Sequence, residues 1–71
     1  MIEMNQVQSG NIDQWGYDPE IQDLQILFVS GGLYLYHNVP TDVAEGLREA
    51  PSKGQYFAAY VKNRYPFERL A

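Results

Sequence analysis

Near its centre the chain reads Leu24-Gln25-Ile26-Leu27-Phe28-Val29-Ser30-Gly31-Gly32-Leu33-Tyr34-Leu35-Tyr36. Leu24, Ile26 and Phe28 alternate with the residues between them, which is the period-two pattern of a β-strand. The Ser-Gly-Gly segment then reverses the chain, because glycine reaches the positive φ angles that hairpin loops require. A third strand follows at residues 33–38. The stretch therefore predicts an antiparallel hairpin.

The sequence before this hairpin predicts one more strand. Residues 11–18 contain the strand-favouring Ile12, Trp15 and Tyr17, and Gly16 among them indicates a bulge or a close backbone approach. Asp18-Pro19-Glu20 suits a type I turn, because an aspartate at the first position accepts a backbone hydrogen bond and proline presets φ at the second. The strands therefore form a three-stranded meander.

Two short helices should follow the sheet. Val39-Pro40 ends the third strand, and Thr41 with Asp42 begins a helix by capping and by interaction with the helix dipole. Its apolar stripe is Val43, Leu47 and Ala50. In Ser52-Lys53-Gly54-Gln55 the serine and glutamine have the spacing of a capping box, which predicts a second helix to residue 63 or 64. Its inward residues are Phe57 and Val61.

These elements predict an α+β fold, a three-stranded antiparallel β-meander followed by two short helices packed on one sheet face. Residues 1–10 are polar and aperiodic and are expected to be a flexible lead-in, so residues 11–71 form the single domain. A chain of 71 residues buries only about 60% of its unfolded surface. We expect it to be too small to enclose a ligand pocket of roughly 300 to 1,000 Å³.

The hairpin loop decides which side chains share a sheet face. A three-residue loop at 30–32 pairs Phe28 with Tyr34 and Ile26 with Tyr36 on one face. On the other face it pairs Val29 with Leu33 and Leu27 with Leu35. A two-residue loop of Gly31 and Gly32 would exchange the tyrosine and leucine faces, and both registers remain open. Either register leaves both faces apolar, whereas two helices cover only one.

Charge divides the chain into two parts of opposite sign. Residues 1–47 contain seven carboxylates and no Lys or Arg, a net −7, whereas residues 48–71 contain five bases and two acids, a net +3. Residues 50–69, the basic aromatic segment, also carry half of the aromatic rings. Because the whole chain has a net charge of −4, contact with a polyanion would be confined to this segment.

Composition and the N-terminus indicate the compartment. The chain contains no cysteine, which excludes a disulfide framework and a thiolate metal site and favours a reducing environment. Residues 1–6 lack the cationic and apolar regions of a signal peptide, and no apolar run approaches membrane-spanning length. We expect a cytoplasmic protein with no membrane partner.

Nearly the whole chain is covered by a series of short motifs. They are Asn11-Ile12, Gly16-Tyr17-Asp18-Pro19, Leu24-x-Ile26-x-Phe28, Ser30-Gly31-Gly32, Tyr34-Leu35-Tyr36, Val39-Pro40, Ser52-Lys53-Gly54-x-Tyr56-Phe57 and Arg64-Tyr65-Pro66. Their order and spacing resemble the KTSC domain, whose marker is a central Tyr-x-Tyr. That family is named for the C-terminal module of some lysyl-tRNA synthetases, and it also occurs as stand-alone small proteins in bacteria and phages. The resemblance implies such a stand-alone protein here.

The resemblance implies no established activity. Because the family occurs in some lysyl-tRNA synthetases, it does imply RNA binding. We expect a non-catalytic module that binds RNA or another polyanion through cationic and aromatic side chains, which attract phosphates and stack on bases. The candidate residues are Lys53, Lys62, Arg64, Arg69, Tyr34, Tyr36, Tyr60 and Tyr65. Ser52-Lys53-Gly54 also places free amides and a lysine at a helix start, where anions bind.

Each of these features also has a purely structural interpretation, which the residues leave open. Tyr34 and Tyr36 would form a half-buried layer with their hydroxyls at the rim. Ser52-Lys53-Gly54 would be a plain helix cap. The cations would pair with the acids of residues 1–47, in exposed pairs that contribute about 0 to 1 kcal/mol each.

A second hypothesis is a protein interface. Leu27, Val29 and Leu35 stand where such modules commonly have polar residues. With Leu33 they would form an apolar sheet face for another protein or for a second copy of the chain. The candidate interface is Leu27, Val29, Leu33 and Leu35.

An enzyme is the least favoured alternative. His37 is the only histidine, and none of the candidate serines Ser9, Ser30 and Ser52 lies in a nucleophile-elbow sequence. The acids Asp18, Glu20 and Asp23 do not have the spacing of a calcium loop. We expect no catalysis, no small-molecule substrate, no cofactor and no metal.

Overall fold

The structure, a computed structural model, describes residues 2–7 and 10–71. The described residues form five strands and two helices. In chain order these are β1 (Asn5–Gln6), β2 (Ile12–Asp18), β3 (Asp23–Phe28), β4 (Leu33–Tyr36), α1 (Thr41–Glu49), α2 (Lys53–Tyr60) and β5 (Phe67–Arg69). Neither helix is long and apolar enough to cross a membrane within the residues described.

The strands form one antiparallel sheet in the order β1-β2-β3-β4-β5. The α+β class, the antiparallel sheet and the two helices are confirmed, but the expected three-stranded sheet is wrong because β1 and β5 extend it at both edges. β1 has only two residues and β5 three. Neither strand is long enough to show an alternating pattern in the sequence. They are strands only because they pair with β2 and β4.

The central hairpin has a register that differs from both expectations. Phe28 N donates to Gly32 O, and Gly31 N donates to Phe28 O, each at 2.9 Å, so the loop is Val29-Ser30-Gly31. Gly31 has a φ of 102°, which is the left-handed region that glycine tolerates. The opposing pairs are Leu24 with Tyr36, Gln25 with Leu35, Ile26 with Tyr34 and Leu27 with Leu33. Because this register differs by two from the three-residue-loop expectation, the faces are as expected and only the partners were wrong.

The hydrophobic core lies between one sheet face and the helices. It contains Ile12, Trp15, Leu24, Ile26, Tyr36, Val39, Leu47, Phe57 and Val61, all buried. The inward positions expected for Leu47, Phe57 and Val61 are therefore confirmed. The other face carries Leu27, Leu33 and Leu35, which are half-buried. Both helices thus cover a single face of the sheet.

The helix ends differ in detail from expectation. Pro40, not Thr41, precedes the first turn of α1, and no side chain caps it. Ser52 caps α2 as expected, because its Oγ accepts a hydrogen bond from Gln55 N at 3.3 Å. The second helix ends at Tyr60 and not at residue 63 or 64. Asn63, three residues later, has a φ of 65°, which turns the chain toward β5.

Residues 2–4 pass over the sheet at Gly16. A Cβ atom at Gly16 would lie 2.5 Å from both the Glu3 carbonyl oxygen and Ile2 Cγ2. The close backbone approach predicted for this glycine is therefore present. Residues 2–7 of the expected lead-in belong to the described part of the chain, whereas Met1, Gln8 and Ser9 lie outside it.

Candidate functional site

A groove of about 470 Å³ opens between α2 and the end of the sheet formed by β4 and β5. Five aromatic side chains line part of it, namely Phe28, Tyr34, Tyr36, Phe57 and Phe67. Asn11, Lys62 and Arg69 add polar groups. Its volume lies within the range of ligand sites. Because this space is an open groove and not an enclosed cavity, it does not contradict the expectation that so small a domain encloses no ligand pocket.

The floor and the wall of the groove differ in exposure. Tyr36 and Phe57 are 5% and 4% exposed, and their ring centroids lie 5.3 Å apart in an edge-to-face contact. Phe67 is 54% exposed, although its ring lies 5.6 Å from Tyr34 and 5.4 Å from Tyr36. Burial raises the pKa of the Tyr36 phenol, and Tyr34 adds to the shift. The floor is thus a neutral packed layer, and Phe67 offers an accessible ring.

Arg69 and Lys62 supply the positive charge of the groove. The Arg69 guanidinium carbon lies 5.6 Å from the centroid of the Tyr34 ring. Its Nε donates to Ala71 O at 2.8 Å. Lys62 follows α2 and lines the groove together with Arg69. Among residues 2–7 and 10–71, no Asp or Glu side chain lies within 4.0 Å of either cation.

The cations therefore do not follow the pairing interpretation. In the described part of the chain, the ion pair of a lysine or arginine with an Asp or Glu side chain is that of Arg48 with Glu45, at 3.6 Å. Arg48 also lies over Trp15, with 5.0 Å between the guanidinium carbon and the ring centroid. Arg48 is not among the residues that line the groove.

Lys53 and Arg64 lie outside the groove, near opposite ends of α2. Lys53 Nζ donates to the carbonyl oxygens of Arg48 and Ala50, each at 3.0 Å. These are carbonyls at the C-terminal end of α1, which carry partial negative charge. Arg64 is exposed, and its Nε donates to Ala59 O at 3.2 Å. Lys53 thus joins the two helices, and Arg64 remains on the surface.

The two candidate binding tyrosines of the basic aromatic segment, Tyr60 and Tyr65, also lie outside the groove. Tyr60 is 52% exposed, and its ring centroid lies 4.7 Å from that of Tyr56. The Tyr56 hydroxyl donates to Val43 O at 2.9 Å, which connects α2 to α1. Burial raises the pKa of the Tyr56 phenol. Tyr65 is partly buried against the core.

Of the predicted binding residues, the groove unites Tyr34, Tyr36, Lys62 and Arg69. Sequence reasoning missed the aromatic wall and floor, Phe28, Phe57 and Phe67. Phe28 and Phe57 could have been found, because Phe57 was predicted to face inward and one of the two open registers placed Phe28 opposite Tyr34. Nothing in the sequence indicated that Phe67 lines the groove, because the strand β5 that orients it was not predicted.

His37 lies on the opposite face of the sheet, between two carboxylates. Its Nδ1 lies 3.0 Å from Asp23 Oδ1, and its Nε2 lies 3.4 Å from Glu68 Oε2. The hydrogen bond to Asp23 is the main reason that the His37 pKa is raised, and Glu68 adds to it, while desolvation opposes both. His37 therefore links β3, β4 and β5. Both of its ring nitrogens face carboxylates, which is not the arrangement of a serine-activating base.

The other chemical candidates do not assemble with His37. Ser52 Oγ is occupied as the cap of α2, and Ser30 lies in the β3–β4 loop. Ser9 lies outside the described residues. Within residues 2–7 and 10–71, no three His, Asp or Glu side chains are grouped so as to hold a metal ion.

The interface candidates are split between the sheet and the loop. Leu27 opposes Leu33, and Leu35 follows on the same face. Val29 lies in the β3–β4 loop and is 62% exposed, so its expected pairing with Leu33 is wrong. The loop begins one residue earlier than expected, which removes Val29 from the ladder.

Comparisons with known proteins agree on one family. The model of the KTSC domain matches residues 8–65. A lysine–tRNA ligase of Nostoc punctiforme is 45% identical over 60 residues, which are 84% of this chain and 11% of the ligase. An uncharacterized protein of Stutzerimonas stutzeri is 42% identical over 59 residues, 83% of each chain. The crystal structure of a KTSC domain protein from Yersinia pestis superposes with a TM-score of 0.95 at 30% identity and covers 100% of both chains.

The chain spans only 11% of the length of the Nostoc punctiforme ligase. The similarity to that enzyme is therefore confined to one short module. The uncharacterized protein and the Yersinia pestis protein match over most or all of their own length.

Proposed function

This chain belongs to the KTSC domain family, and from that premise we propose that it is a non-catalytic module that binds RNA. The family is a small domain without a known catalytic activity. A module of the same family forms part of a lysine–tRNA ligase, an enzyme whose name places it at a tRNA. The proposal extends that RNA association to the present chain.

One observation carries the proposal, the juxtaposition of Lys62 and Arg69 with exposed aromatic surface. Both cations line the same groove as Phe67 and Tyr34, and no Asp or Glu side chain of the described residues lies within 4.0 Å of either. Basic groups attract the backbone of a nucleic acid, and aromatic rings stack on its bases. Arg64 is also exposed, but it does not line this groove.

The net charge limits how the chain could bind RNA. With seven carboxylates and no base in residues 1–47, most of the surface repels a polyanion. Binding would therefore be weak, local to residues 62–69 and strongly dependent on salt. Single strands suit such a site better than duplexes, because their bases are free to stack on side chains.

Fluorescence anisotropy of a labelled single-stranded RNA tests the proposal at several salt concentrations. We expect binding at low salt. The slope of log K against log salt should be about −0.7 for each phosphate contact. Lys62→Gln should lower that slope by about one contact. RNA that shows no anisotropy change at low salt would exclude the proposed function.

A second candidate is a protein interface on the sheet face opposite the helices. The observation in its favour is that Leu27, Leu33 and Leu35 lie together there, half-buried, with no helix over them. A stable interface buries about 1,200 to 2,000 Å² in total, so most of this face would have to take part. Sedimentation at high protein concentration tests self-association. A monomer whose sedimentation is the same in Leu35→Lys would exclude a homodimer through this face.

A further inference from the structure

We infer that the aromatic groove is a pocket for one unstacked nucleotide, whose base lies against Phe67 and whose phosphate lies between Lys62 and Arg69. The inference rests on the proposed function and deepens it, because it assigns the ligand unit that the groove takes. RNA binding through surface charge alone would not require the groove.

The aromatic wall is suited to a base. Phe67 is the most exposed ring of the groove, while Tyr36 and Phe57 form a closed floor beneath it. The Phe67 ring is already held against Tyr34 and Tyr36 at centroid distances of 5.6 and 5.4 Å. A base that stacks on this ring extends an existing aromatic cluster without displacing a core side chain. Such stacking is tolerant of base identity, because every base has a π-face.

The two cations are suited to the phosphate. Lys62 comes from the end of α2 and Arg69 from β5, so the groove receives positive charge from two different elements. Arg69 Nε donates a hydrogen bond to Ala71 O, and the guanidinium carbon lies 5.6 Å from the centroid of the Tyr34 ring. The planar fork of a guanidinium matches the oxygens of a phosphate, and a lysine adds a point charge.

The size of the groove selects one nucleotide. A volume of about 470 Å³ lies near the lower end of the range for small-ligand sites. The accessible ring lies inside the groove, where a base that is paired and stacked in a duplex cannot reach it. The pocket therefore takes a base at a strand end or one extruded from a loop.

Nuclear magnetic resonance of the full chain tests this pocket with adenosine 5′-monophosphate. Ribose 5-phosphate, which has the phosphate and sugar but no base, is the comparison probe. We expect the nucleotide to shift the resonances of Phe67, Tyr34 and Gly54 and to bind about tenfold more tightly than ribose 5-phosphate, the contribution of one stacked base. Phe67→Ala should remove that difference and leave ribose 5-phosphate binding unchanged.

A matched pair of variants tests the phosphate contact independently. Lys62→Ala and Arg64→Ala each remove one exposed positive charge, but only Lys62 lines the groove. We expect Lys62→Ala to weaken nucleotide binding several-fold and Arg64→Ala to leave it unchanged. This pair decides the question even if Phe67→Ala fails to fold, which the amide spectrum would show.

Two results would overturn the pocket. One is equal binding of the nucleotide and ribose 5-phosphate, and the other is an equal effect of Lys62→Ala and Arg64→Ala. If labelled RNA binds at low salt while Phe67→Ala and excess nucleotide leave that binding unchanged, the pocket is excluded and the proposed function stands. If RNA fails to bind while the nucleotide binds as expected, the proposed function is excluded and the pocket is for a free nucleotide.

Discussion

The Arg69 guanidinium lies over the ring of Tyr34, with 5.6 Å between the guanidinium carbon and the ring centroid. The two residues are direct partners in the register of β4 and β5. This pairing brings a cation from the end of the chain to the central Tyr-x-Tyr motif. It also places Phe67 opposite Tyr36, so one short strand completes both the charge and the aromatic wall of the groove.

Two substitutions of Arg69 should separate the effect of its positive charge on RNA binding from the effect of its planar guanidinium. Arg69→Gln should lower the slope of log K for single-stranded RNA against log salt by about 0.7, because one phosphate contact is lost. Arg69→Lys should retain the slope but weaken binding, since an ammonium lacks the planar fork and its stacking on Tyr34. Anisotropy titrations at several salt concentrations measure both quantities. Equal affinities of Arg69→Lys and the parent protein would argue against a role for the guanidinium shape.

Lys53 should contribute to the stability of the fold, whereas Lys62 should contribute to RNA binding. Lys53→Met removes the bonds from Nζ to Arg48 O and Ala50 O, and a cation at a helix C-terminus contributes about 0.3 to 1 kcal/mol. We expect this variant to lower the free energy of unfolding by that amount and to retain most RNA affinity. Lys62→Met removes the same charge and should weaken RNA binding with little change in stability.

Urea denaturation and RNA anisotropy on the same samples distinguish these two lysines. A loss of RNA affinity in Lys53→Met equal to that in Lys62→Met would mean that the phosphate site includes the start of α2. The capping assignment of Lys53 would then be incomplete.

His37 predicts a pH dependence of stability. Its folded-state pKa is raised, first by the hydrogen bond to Asp23, whereas an unfolded histidine titrates near pH ~6.5. A raised pKa means that the stabilisation is fully present below the unfolded pKa and is lost as pH rises through the folded pKa. The urea midpoint should therefore fall as pH rises from about 6.5 through the folded pKa.

His37→Gln isolates this effect, because other groups titrate equally in both proteins. The difference in urea midpoint between the parent and the variant should shrink as pH rises above about 6.5. A difference that is the same on both sides of neutrality would show that protonated His37 does not stabilise the contact of β3, β4 and β5.

Gly16 and Gly10 offer a matched test of the chain crossing at the sheet. Gly16→Ala places a Cβ atom 2.5 Å from Glu3 O and Ile2 Cγ2, whereas a Cβ atom at Gly10 meets no atom of the described residues within 4 Å. We expect Gly16→Ala to lower the free energy of unfolding by about 1 to 3 kcal/mol, as overpacking does. Gly10→Ala should change it by less than about 0.5 kcal/mol. Equal urea curves for the two variants would indicate that residues 2–4 do not pack on Gly16.

Much of the architecture was predictable because its signals are local. Alternation in residues 24–36 predicted the central hairpin, and Ser52 and Gln55 predicted the start of the second helix. The sequence left open which sheet face the tyrosines occupy, and the structure has the faces of the three-residue-loop alternative, because a shift of two residues preserves the parity of every side chain. The ordered motifs along the chain were specific enough to predict the KTSC family, which the comparisons confirm.

The sequence by itself determined the central strands, the helices, the charge asymmetry and the family, since each depends on the order and type of neighbouring residues. Only the tertiary structure decided the edge strands β1 and β5, because a strand of two or three residues is defined by the backbone it pairs with. It also decided which cations share a site. Lys53 and Lys62 look alike in the sequence, but packing directs one to the carbonyls of α1 and the other to the aromatic groove.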